Sequence, residues 1–200
     1  MLESPVFSTL FFGLLGYLCG SFPFAVWVTR AVKGVDVREA GSRHATATNT
    51  FRQAGWAAGA LVAALDIGKG FLPTYLALEY AGTPWAASLA AGLAVVGHCW
   101  PLFAQFRGGM GLATAGGCIL AVSPLGFFIG VGVLVTSVLL IHHSARASVV
   151  TGLIIPPVLV LLGQRGMVIW VSIAVGIVIS IRFLRDWRRQ YRELWLDREG

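Results

Sequence analysis

The chain has 200 residues, of which 56% are hydrophobic and only 12% are charged, and its mean hydropathy is +0.77. A soluble domain carries about 25% charged residues, so this composition excludes an ordinary soluble protein and predicts an all-α bundle of membrane-spanning helices. The formal charge of +6 at pH 7 comes from short polar segments between long apolar ones. This pattern favours a membrane topology signal over a nucleic-acid site, and we expect no nucleic-acid partner.

Seven apolar segments are predicted to be helices of a single domain, residues 1–200, because one crossing takes about 20 mainly apolar residues. The first, residues 7–28, has no basic segment before it and is too long for a signal peptide, so we expect a retained membrane helix. The others are residues 53–80, 85–96, 112–122, 125–141, 149–162 and 167–181. Several are too short to cross unless the bilayer thins or other helices shield them.

The basic residues support the count of seven. With seven crossings, residues 30–52, 98–111, 142–148 and 182–200 lie on one side, and they hold every Lys and Arg except Lys69 and Arg165. The positive-inside rule then predicts a multi-pass protein of the cell membrane with its N-terminus outside and its C-terminus in the cytoplasm. Six crossings would divide the basic loops between the two sides. The tail, residues 185–192, is predicted to be a positive-inside anchor or an interfacial helix.

The first polar loop is dense in hydroxyl and amide side chains and includes Ser42, Asn49 and Arg52. Such groups donate hydrogen bonds to phosphate oxygens, so the loop is a candidate anion site. The alternative is an ordinary loop in which Asn49 or Thr50 caps the next helix.

Two ionisable residues, Asp66 and Lys69, lie three positions apart inside an apolar segment. Charged groups inside a membrane are costly and are usually functional or paired with each other. One interpretation is an ion pair that holds the bundle together. The other, which we favour, has Lys69 reaching an anion.

The central polar break joins a histidine, an arginine and several glycines: His98, Arg107, Gly108, Gly109 and Gly111. Glycine-rich backbone exposes N–H groups that bind anions, and bilayers tolerate such backbone only where it is buried or lines a wet cavity. His98 can act as a base or hydrogen-bond a phosphate oxygen. These residues predict a phosphate site at a membrane edge.

The third polar loop adds Arg146 and Ser148 as phosphate-facing candidates. No Ser-His-Asp order, paired-carboxylate motif or metal triad is evident, and we expect neither a metal nor a cofactor. Direct transfer between two bound anionic substrates fits these residues better than a covalent mechanism.

Four ordered motifs resemble the bacterial acyl-phosphate:glycerol-3-phosphate acyltransferase family (PlsY) over nearly the whole chain. They are Gly20-Ser21-Phe22-Pro23-Phe24, Gly41-Ser42 through Thr48-Asn49 to Arg52, Asp66-Ile67-Gly68-Lys69-Gly70, and the block from Gly97-His98 to Thr114. The family's seven-helix topology, with the N-terminus outside, agrees with the charge count. The resemblance implies transfer of a fatty acyl group from acyl phosphate to glycerol 3-phosphate, giving lysophosphatidic acid and phosphate.

The same resemblance suggests His98, Ser42 and Asn49 as catalytic residues. The residues expected to bind substrate phosphate are Arg52, Lys69, Arg107, Gly108, Gly109, Gly111, Arg146 and Ser148. It implies membrane lipids as neighbours, an active site facing the cytoplasm, and a soluble enzyme that makes acyl phosphate as a possible partner.

The chain departs from the family pattern at several positions. Arg43 and His44 stand in the first motif, Met110 stands where the family has a lysine, and Ala145 replaces a serine of the third loop. The family's tail box has at best a relic in residues 185–188. Two alternatives to the acyltransferase therefore stay open. One is a non-catalytic or altered-acceptor relative that binds lipid phosphates, and the other is a small transporter, which the lack of an inverted repeat disfavours.

Overall fold

The computed structural model describes residues 4–189, and all of its regular structure there is helical. The α-helices are α1 (Pro5–Gly20), α2 (Phe24–Lys33), α3 (Ala47–Ala54), α4 (Trp56–Tyr80), α5 (Pro84–Cys99), α6 (Leu112–Val122), α7 (Pro124–Ile141), α8 (Ser144–Leu161) and α9 (Met167–Leu184). Short 3₁₀ turns lie at Val37–Glu39 and Leu102–Ala104. The all-helical membrane fold predicted from composition is confirmed at this level.

Six segments are long and apolar enough to cross a membrane: Pro5–Lys33, Trp56–Tyr80, Pro84–Ala104, Pro124–Ile141, Ser144–Leu161 and Met167–Leu184. The other apolar segment, α6, has 11 residues. At 1.5 Å per residue it is about 17 Å long, which is short of the roughly 30 Å hydrocarbon core. The count of seven crossings therefore remains a prediction.

The first apolar segment is divided, and the single helix expected over residues 7–28 was wrong. Helix α1 ends at Gly20 and α2 begins at Phe24. Pro23 lies at the junction, where it has no N–H to donate and its ring obstructs the preceding turn of a continuous helix. The break exposes the carbonyl of Phe22, which accepts a hydrogen bond from Lys69.

The first polar loop contains a helix that the sequence did not predict. Helix α3 occupies Ala47–Ala54 and ends at Gly55, whose φ of 90° favours glycine. The caps considered in the alternative interpretation, Asn49 or Thr50, were wrong, because the side chain of Thr46 accepts from the N–H of Asn49. A threonine three residues before its donor is a standard N-cap, and it leaves the Asn49 side chain for other contacts.

The bundle is held together by close helix approach at small residues. Gly16 and Gly20 of α1 lie against the backbone of Ala90 and Ala94 in α5, and a Cβ at either glycine would overlap a carbonyl oxygen. The pairs α4 with α6 and α8 with α9 approach in the same way. Small residues let van der Waals contact replace the hydrophobic effect that lipid does not supply between helices. The main apolar core lies between α5, α6, α8 and α9.

This packing brings the ends of α5, α7 and α9 together with the beginnings of α3, α6 and α8. Helix α9 ends at Leu184, turns follow to residue 188, and the rest of the predicted tail, residues 190–200, lies outside the described residues.

Candidate active site

A polar cleft of about 450 Å³ lies where these helix ends meet. Five predicted site residues line it: Ser42, Arg52, His98, Gly111 and Ser148. The sequence places them in three separate loops, and the fold brings them into one wall. Asp66 and His44, which the sequence analysis noted without proposing them as phosphate ligands, also line the cleft, as do Thr46, Thr48 and Ser144.

Three helix N-termini face the cleft. Thr46 to Thr48 begin α3, Gly111 to Ala113 begin α6, and Ser144 begins α8. The first backbone N–H groups of a helix have no acceptor within it, and the helix dipole places partial positive charge there. A converging set of such ends, with the guanidinium of Arg52 in the same wall, is suited to a phosphate group.

The first loop is organised by Asn49, which is fully buried and lies outside the cleft wall. Its amide nitrogen donates to the carbonyl oxygens of Val37, Ala40 and His44 at 2.9, 3.1 and 3.0 Å. The structure therefore places Asn49 behind the loop, where it fixes the backbone, although the sequence predicted a catalytic role.

A second anchor ties this loop to the segment after α5. The guanidinium of Arg38 holds Asp36 through paired contacts and also donates to the carbonyl of Ala104 at 2.9 Å. The Arg38 hydrogen bonds hold the pKa of the Asp36 carboxyl below its usual range, against the opposing effect of partial burial. Charge-assisted hydrogen bonds thereby cross-link the first loop to the segment after α5.

Three ionisable residues form one buried cluster beside the cleft. The ammonium of Lys69 lies 2.9 Å from Asp66 Oδ1 and donates to the Phe22 carbonyl at 2.9 Å. The same Asp66 oxygen lies 3.6 Å from His98 Nδ1, which is slightly beyond hydrogen-bond distance. Lys69 does not line the polar cleft, but it lines a small neighbouring pocket together with His98, Gly108 and Gly109. The ion pair proposed from the i, i+3 spacing is confirmed. The contact of Lys69 with an anion stays a prediction.

The glycines after Arg107 pack against His98. The N–H of Gly109 donates to the His98 carbonyl at 3.1 Å, and the N–H of Ala45 donates to the Gly108 carbonyl at 3.4 Å. A Cβ at Gly109 would overlap His98 Nε2, and one at Gly108 would overlap the His98 carbonyl. These two glycines permit close packing around the histidine, whereas Gly111, with a φ of 87°, begins α6 in the cleft wall.

Two predicted phosphate ligands lie elsewhere. Arg107 is on the surface, 3.4 Å from Glu39, with both side chains more than half exposed. Arg146 stacks its guanidinium on the ring of Trp187 and donates to the Trp187 carbonyl at 3.4 Å. Neither arginine lines the cleft. An arginine in a polar loop has too long a side chain for its direction to follow from sequence.

His44 is a residue of this chain's unusual first motif, and it faces the segment after α9. Its Nε2 lies 3.5 Å from Asp186 Oδ2. Burial, reinforced by the positive charges of Arg182 and Arg189, lowers the pKa of His44 to about 4, and Asp186 only partly opposes this effect. His44 is therefore neutral at pH 7, and its contact with Asp186 is that of a neutral imidazole and a carboxylate.

An apolar cavity of about 260 Å³ adjoins the polar cleft. Leu112, Ala113 and Leu134 line both spaces, and the rest of the cavity wall is contributed almost wholly by apolar side chains of α6 to α9. A cleft that offers Arg52, hydroxyl side chains and helix N-termini and that continues into an apolar cavity is suited to a molecule with an anionic head and a hydrocarbon tail.

Comparison with known proteins supports the same class. The glycerol-3-phosphate acyltransferase family model matches residues 10–193. A glycerol-3-phosphate acyltransferase of Salinibacter ruber is 38% identical over 164 residues, covering 74% of this chain and 71% of that protein. One of Rubrobacter xylanophilus is 47% identical over 118 residues, a match that spans 58% of this chain and 59% of the relative.

The fold is also similar to a solved membrane protein. The crystal structure of PlsY (YgiH), an integral membrane glycerol 3-phosphate acyltransferase, in its glycerol 3-phosphate form has a TM-score of 0.79, 33% identity and 91% coverage of each chain. Its lysophosphatidic acid form gives a TM-score of 0.78 at 32% identity. The resemblance inferred from the four motifs is confirmed, and this chain belongs to the glycerol-3-phosphate acyltransferase family.

Proposed function

We propose that this protein transfers a fatty acyl group from acyl phosphate to the 1-hydroxyl of glycerol 3-phosphate, giving lysophosphatidic acid and inorganic phosphate. The observation that carries the proposal is the single cleft in which three helix N-termini, Arg52 and His98 meet and which continues into an apolar cavity. The cleft supplies sites for phosphate groups, and the cavity accommodates the first part of an acyl chain. Family membership and the two ligand forms of the solved relative support the same reaction.

The chemistry follows from the substrates. The acceptor hydroxyl oxygen attacks the carbonyl carbon of the acyl phosphate, an ester bond forms, and the bond between that carbon and the phosphate oxygen breaks. The hydroxyl proton passes to a base, and inorganic phosphate leaves. Because the mixed anhydride is already activated, no acyl-enzyme is needed, and positioning with electrostatic stabilisation accounts for the catalysis.

His98 is the proposed base, and Asp66 orients its imidazole. Asp66 lies beside Nδ1, so Nε2 is the nitrogen available to the acceptor. Ser42, Ser148 and Arg52 line the cleft and are proposed to hold the phosphate groups, with Gly111 opening α6 toward them. Asn49, Gly108, Gly109 and Lys69 are proposed to act by holding this arrangement, and Arg107 and Arg146 by stabilising its rim.

The proposed setting is a single domain, residues 1–200, with about seven membrane-spanning helices in the cell membrane, its N-terminus outside and its cleft facing the cytoplasm. The positions of the described basic segments, residues 30–52, 98–111, 142–148 and 182–189, support this orientation, because they adjoin the helix ends that form the cleft. Arg165 lies between α8 and α9, at the opposite ends of those two helices. Glycerol 3-phosphate then reaches the cleft from the cytoplasm. A soluble enzyme that supplies acyl phosphate is the expected partner at the same face, and membrane lipids surround the exposed apolar side chains.

A different acceptor is the second candidate, and Met110 is the observation that favours it. Met110 lines the cleft at the position where the family has a lysine. Replacing a cation by a thioether weakens attraction for a dianionic acceptor unless other charges compensate.

The deciding experiment measures phosphate release from palmitoyl phosphate by the purified protein in lipid, with and without glycerol 3-phosphate. We expect phosphate release to depend on glycerol 3-phosphate and to be matched by an equal amount of lysophosphatidic acid. Both products are expected to be lost in His98→Ala. Release that ignores glycerol 3-phosphate but rises with glycerol would identify the altered acceptor. Binding of glycerol 3-phosphate without any release by folded protein would identify a non-catalytic relative.

A further inference from the structure

The end of α9 and the turns after it reach back to the two loops that frame the cleft. Arg182 Nε donates to the Gly109 carbonyl at 3.1 Å, and an amino group of Arg189 donates to the Ser42 carbonyl at 2.9 Å. Asp186 lies between them and faces His44 at 3.5 Å. Arg182 lies in the last turns of α9, and Asp186 and Arg189 lie in the turns after it. These turns are held by backbone hydrogen bonds from Asp186 to the Phe183 carbonyl at 3.0 Å and from Arg189 to the Asp186 carbonyl at 2.9 Å.

The contact between Asp186 and His44 is sheltered from water, since each residue is 8% exposed. The positive charges of Arg182 and Arg189 act on the same histidine. The hydrogen bond from Arg189 to the Ser42 carbonyl is exposed. A buried carboxylate is costly unless it is hydrogen-bonded or paired, so Asp186 favours the arrangement in which these partners stay close. Removing it is expected to release His44 as well as the segment that carries it.

The loop that receives these contacts has an uncommon backbone. Gly41 and Arg43 both have a φ of 58°, and Arg43 is not a glycine. A non-glycine residue in this left-handed region is disfavoured and persists only where surrounding contacts enforce it. The neighbours of Arg43 on both sides, Ser42 and His44, are the residues that Arg189 and Asp186 hold.

We propose that Asp186 and Arg189 are positioning residues that clamp residues 42–44 in the cleft wall and thereby set the affinity for the phosphate-bearing acceptor. This inference rests on the proposed function and adds a determinant of substrate affinity to it. In the absence of the clamp, the loop populates conformations in which Ser42 leaves the wall. Glycerol 3-phosphate then binds only to the fraction of molecules whose loop has Ser42 in the cleft wall. This raises KM for glycerol 3-phosphate and leaves kcat nearly unchanged.

The test uses the full-length protein in lipid, with palmitoyl phosphate and varied glycerol 3-phosphate. We expect Asp186→Ala to raise KM for glycerol 3-phosphate about tenfold, as for loss of a buried hydrogen bond to a charged group, while kcat changes less than about twofold. Arg189→Ala removes an exposed hydrogen bond, so we expect a smaller rise in KM of about threefold. Asp186→Asn keeps an acceptor for the neutral His44 and is expected to restore most of the affinity. Arg188→Ala, which removes an exposed neighbouring charge, is the matched control and is expected to behave as the native chain.

A second measurement, amide hydrogen exchange of residues 41–47 without substrate, separates this inference from the proposed function. We expect faster exchange in Arg189→Ala and Asp186→Ala than in Arg188→Ala. An unchanged KM, an equal rise in the Arg188→Ala control, or a fall in kcat alone would overturn the clamp. If the native chain transfers no acyl group, the proposed function fails, and the exchange rates alone decide whether the segment is clamped.

Discussion

The carboxylate of Asp66 lies between the ammonium of Lys69, at 2.9 Å, and Nδ1 of His98, at 3.6 Å, so one oxygen faces both groups. Asp66 and Lys69 lie on α4, and His98 lies in the last turn of α5. The cluster therefore joins α4 to α5 and places the Asp66 carboxylate beside the imidazole of the histidine that lines the cleft. Its members are expected to respond to mutation as a unit.

Removing one charge of this cluster is expected to destabilise the protein more than removing both charges. Lys69→Met leaves the Asp66 carboxylate buried without its cation, and we expect unfolding to become easier by about 3 to 5 kcal/mol. Adding Asp66→Asn removes the uncompensated charge, so the double variant should recover part of that loss. Thermal midpoints in detergent measure the effect, and strictly additive losses would contradict the coupling.

Asp66→Asn alone tests orientation of the base. We expect kcat to fall about 100-fold, within the range for loss of effective general base catalysis, with a smaller change in KM for glycerol 3-phosphate. Phosphate release under saturating substrates measures it, with the thermal midpoint as a check on folding. A folded variant with native kcat would remove Asp66 from the mechanism.

Gly109→Ala tests the packing around His98. Its Cβ would overlap His98 Nε2 and the carbonyl of Ala45, so we expect the imidazole to be displaced and activity to fall at least about 100-fold. Gly68→Ala is the matched control, because nothing lies within 4 Å of a Cβ there. We expect that control to keep its activity and to gain slightly in stability, since alanine favours a helix over glycine. Equal loss in both variants would contradict the steric argument.

Replacing an arginine of the cleft wall is expected to affect substrate binding more than replacing an arginine of the surface. Arg52 lines the cleft, whereas Arg107 lies on the surface beside Glu39. We expect Arg52→Ala to raise KM for glycerol 3-phosphate about tenfold or more, as for loss of a charge-assisted hydrogen bond. Arg107→Ala should change KM less than about twofold, because exposed ion pairs contribute little. The reverse order would restore the phosphate role that the sequence predicted for Arg107.

Met110→Lys tests the missing cation. Met110 is 8% exposed in the cleft wall, so an ammonium there would lie close to a bound phosphate. We expect KM for glycerol 3-phosphate to fall about threefold to tenfold through the added attraction. Met110→Leu keeps the size without the charge and should leave KM unchanged. A rise in KM with lysine would show that the cleft already has its full complement of positive charge.

The depressed pKa of His44 predicts a pH dependence of stability. The folded value is about 4, whereas an unfolded histidine titrates near 6.5, so the unfolded chain binds the proton more readily. The contribution of neutral His44 to folding stability is fully present above pH 7, and it is lost as the pH falls from about 6.5 toward 4. The charged groups facing His44 are Arg182, Asp186 and Arg189.

The measurement compares thermal midpoints of the native chain and His44→Gln at pH 7.5 and pH 5. We expect a smaller drop in the variant, since glutamine does not titrate. Asp36 contributes only at lower pH, because its pKa is below the usual carboxyl range. Identical drops in the two proteins would contradict the assignment.

Much of the fold was readable from local sequence. The apolar segments are long enough to require helices in a bilayer, where unpaired backbone groups are prohibitive. The break at Pro23 was readable in principle, since proline disrupts a helix at a fixed point, but the continuous apolar character of residues 7–28 outweighed it. Helix α3 was missed because its amphipathic eight residues resemble a polar loop when examined without their partners.

The residues of the candidate site were also only partly predictable from local sequence. The sequence identified Ser42, Arg52, His98, Gly111 and Ser148, because hydroxyl, cationic and glycine-rich segments are rare in an apolar chain and are informative when they occur. It did not identify the contact of Asp66 with His98 or that of Arg189 with Ser42. The second of these joins residues 147 positions apart, which no local pattern specifies.

The sequence by itself determined the membrane class, the helical character of the chain, the family and the residue types of the site. Only the tertiary structure decided which polar groups share one cleft, that Lys69 is held by Asp66, and that Arg107 and Arg146 lie outside. The physical reason is that composition and periodicity set where a helix forms and which residues avoid lipid. The direction of a long polar side chain depends instead on how helices are rotated against one another, and close contacts between small residues on different helices set that rotation.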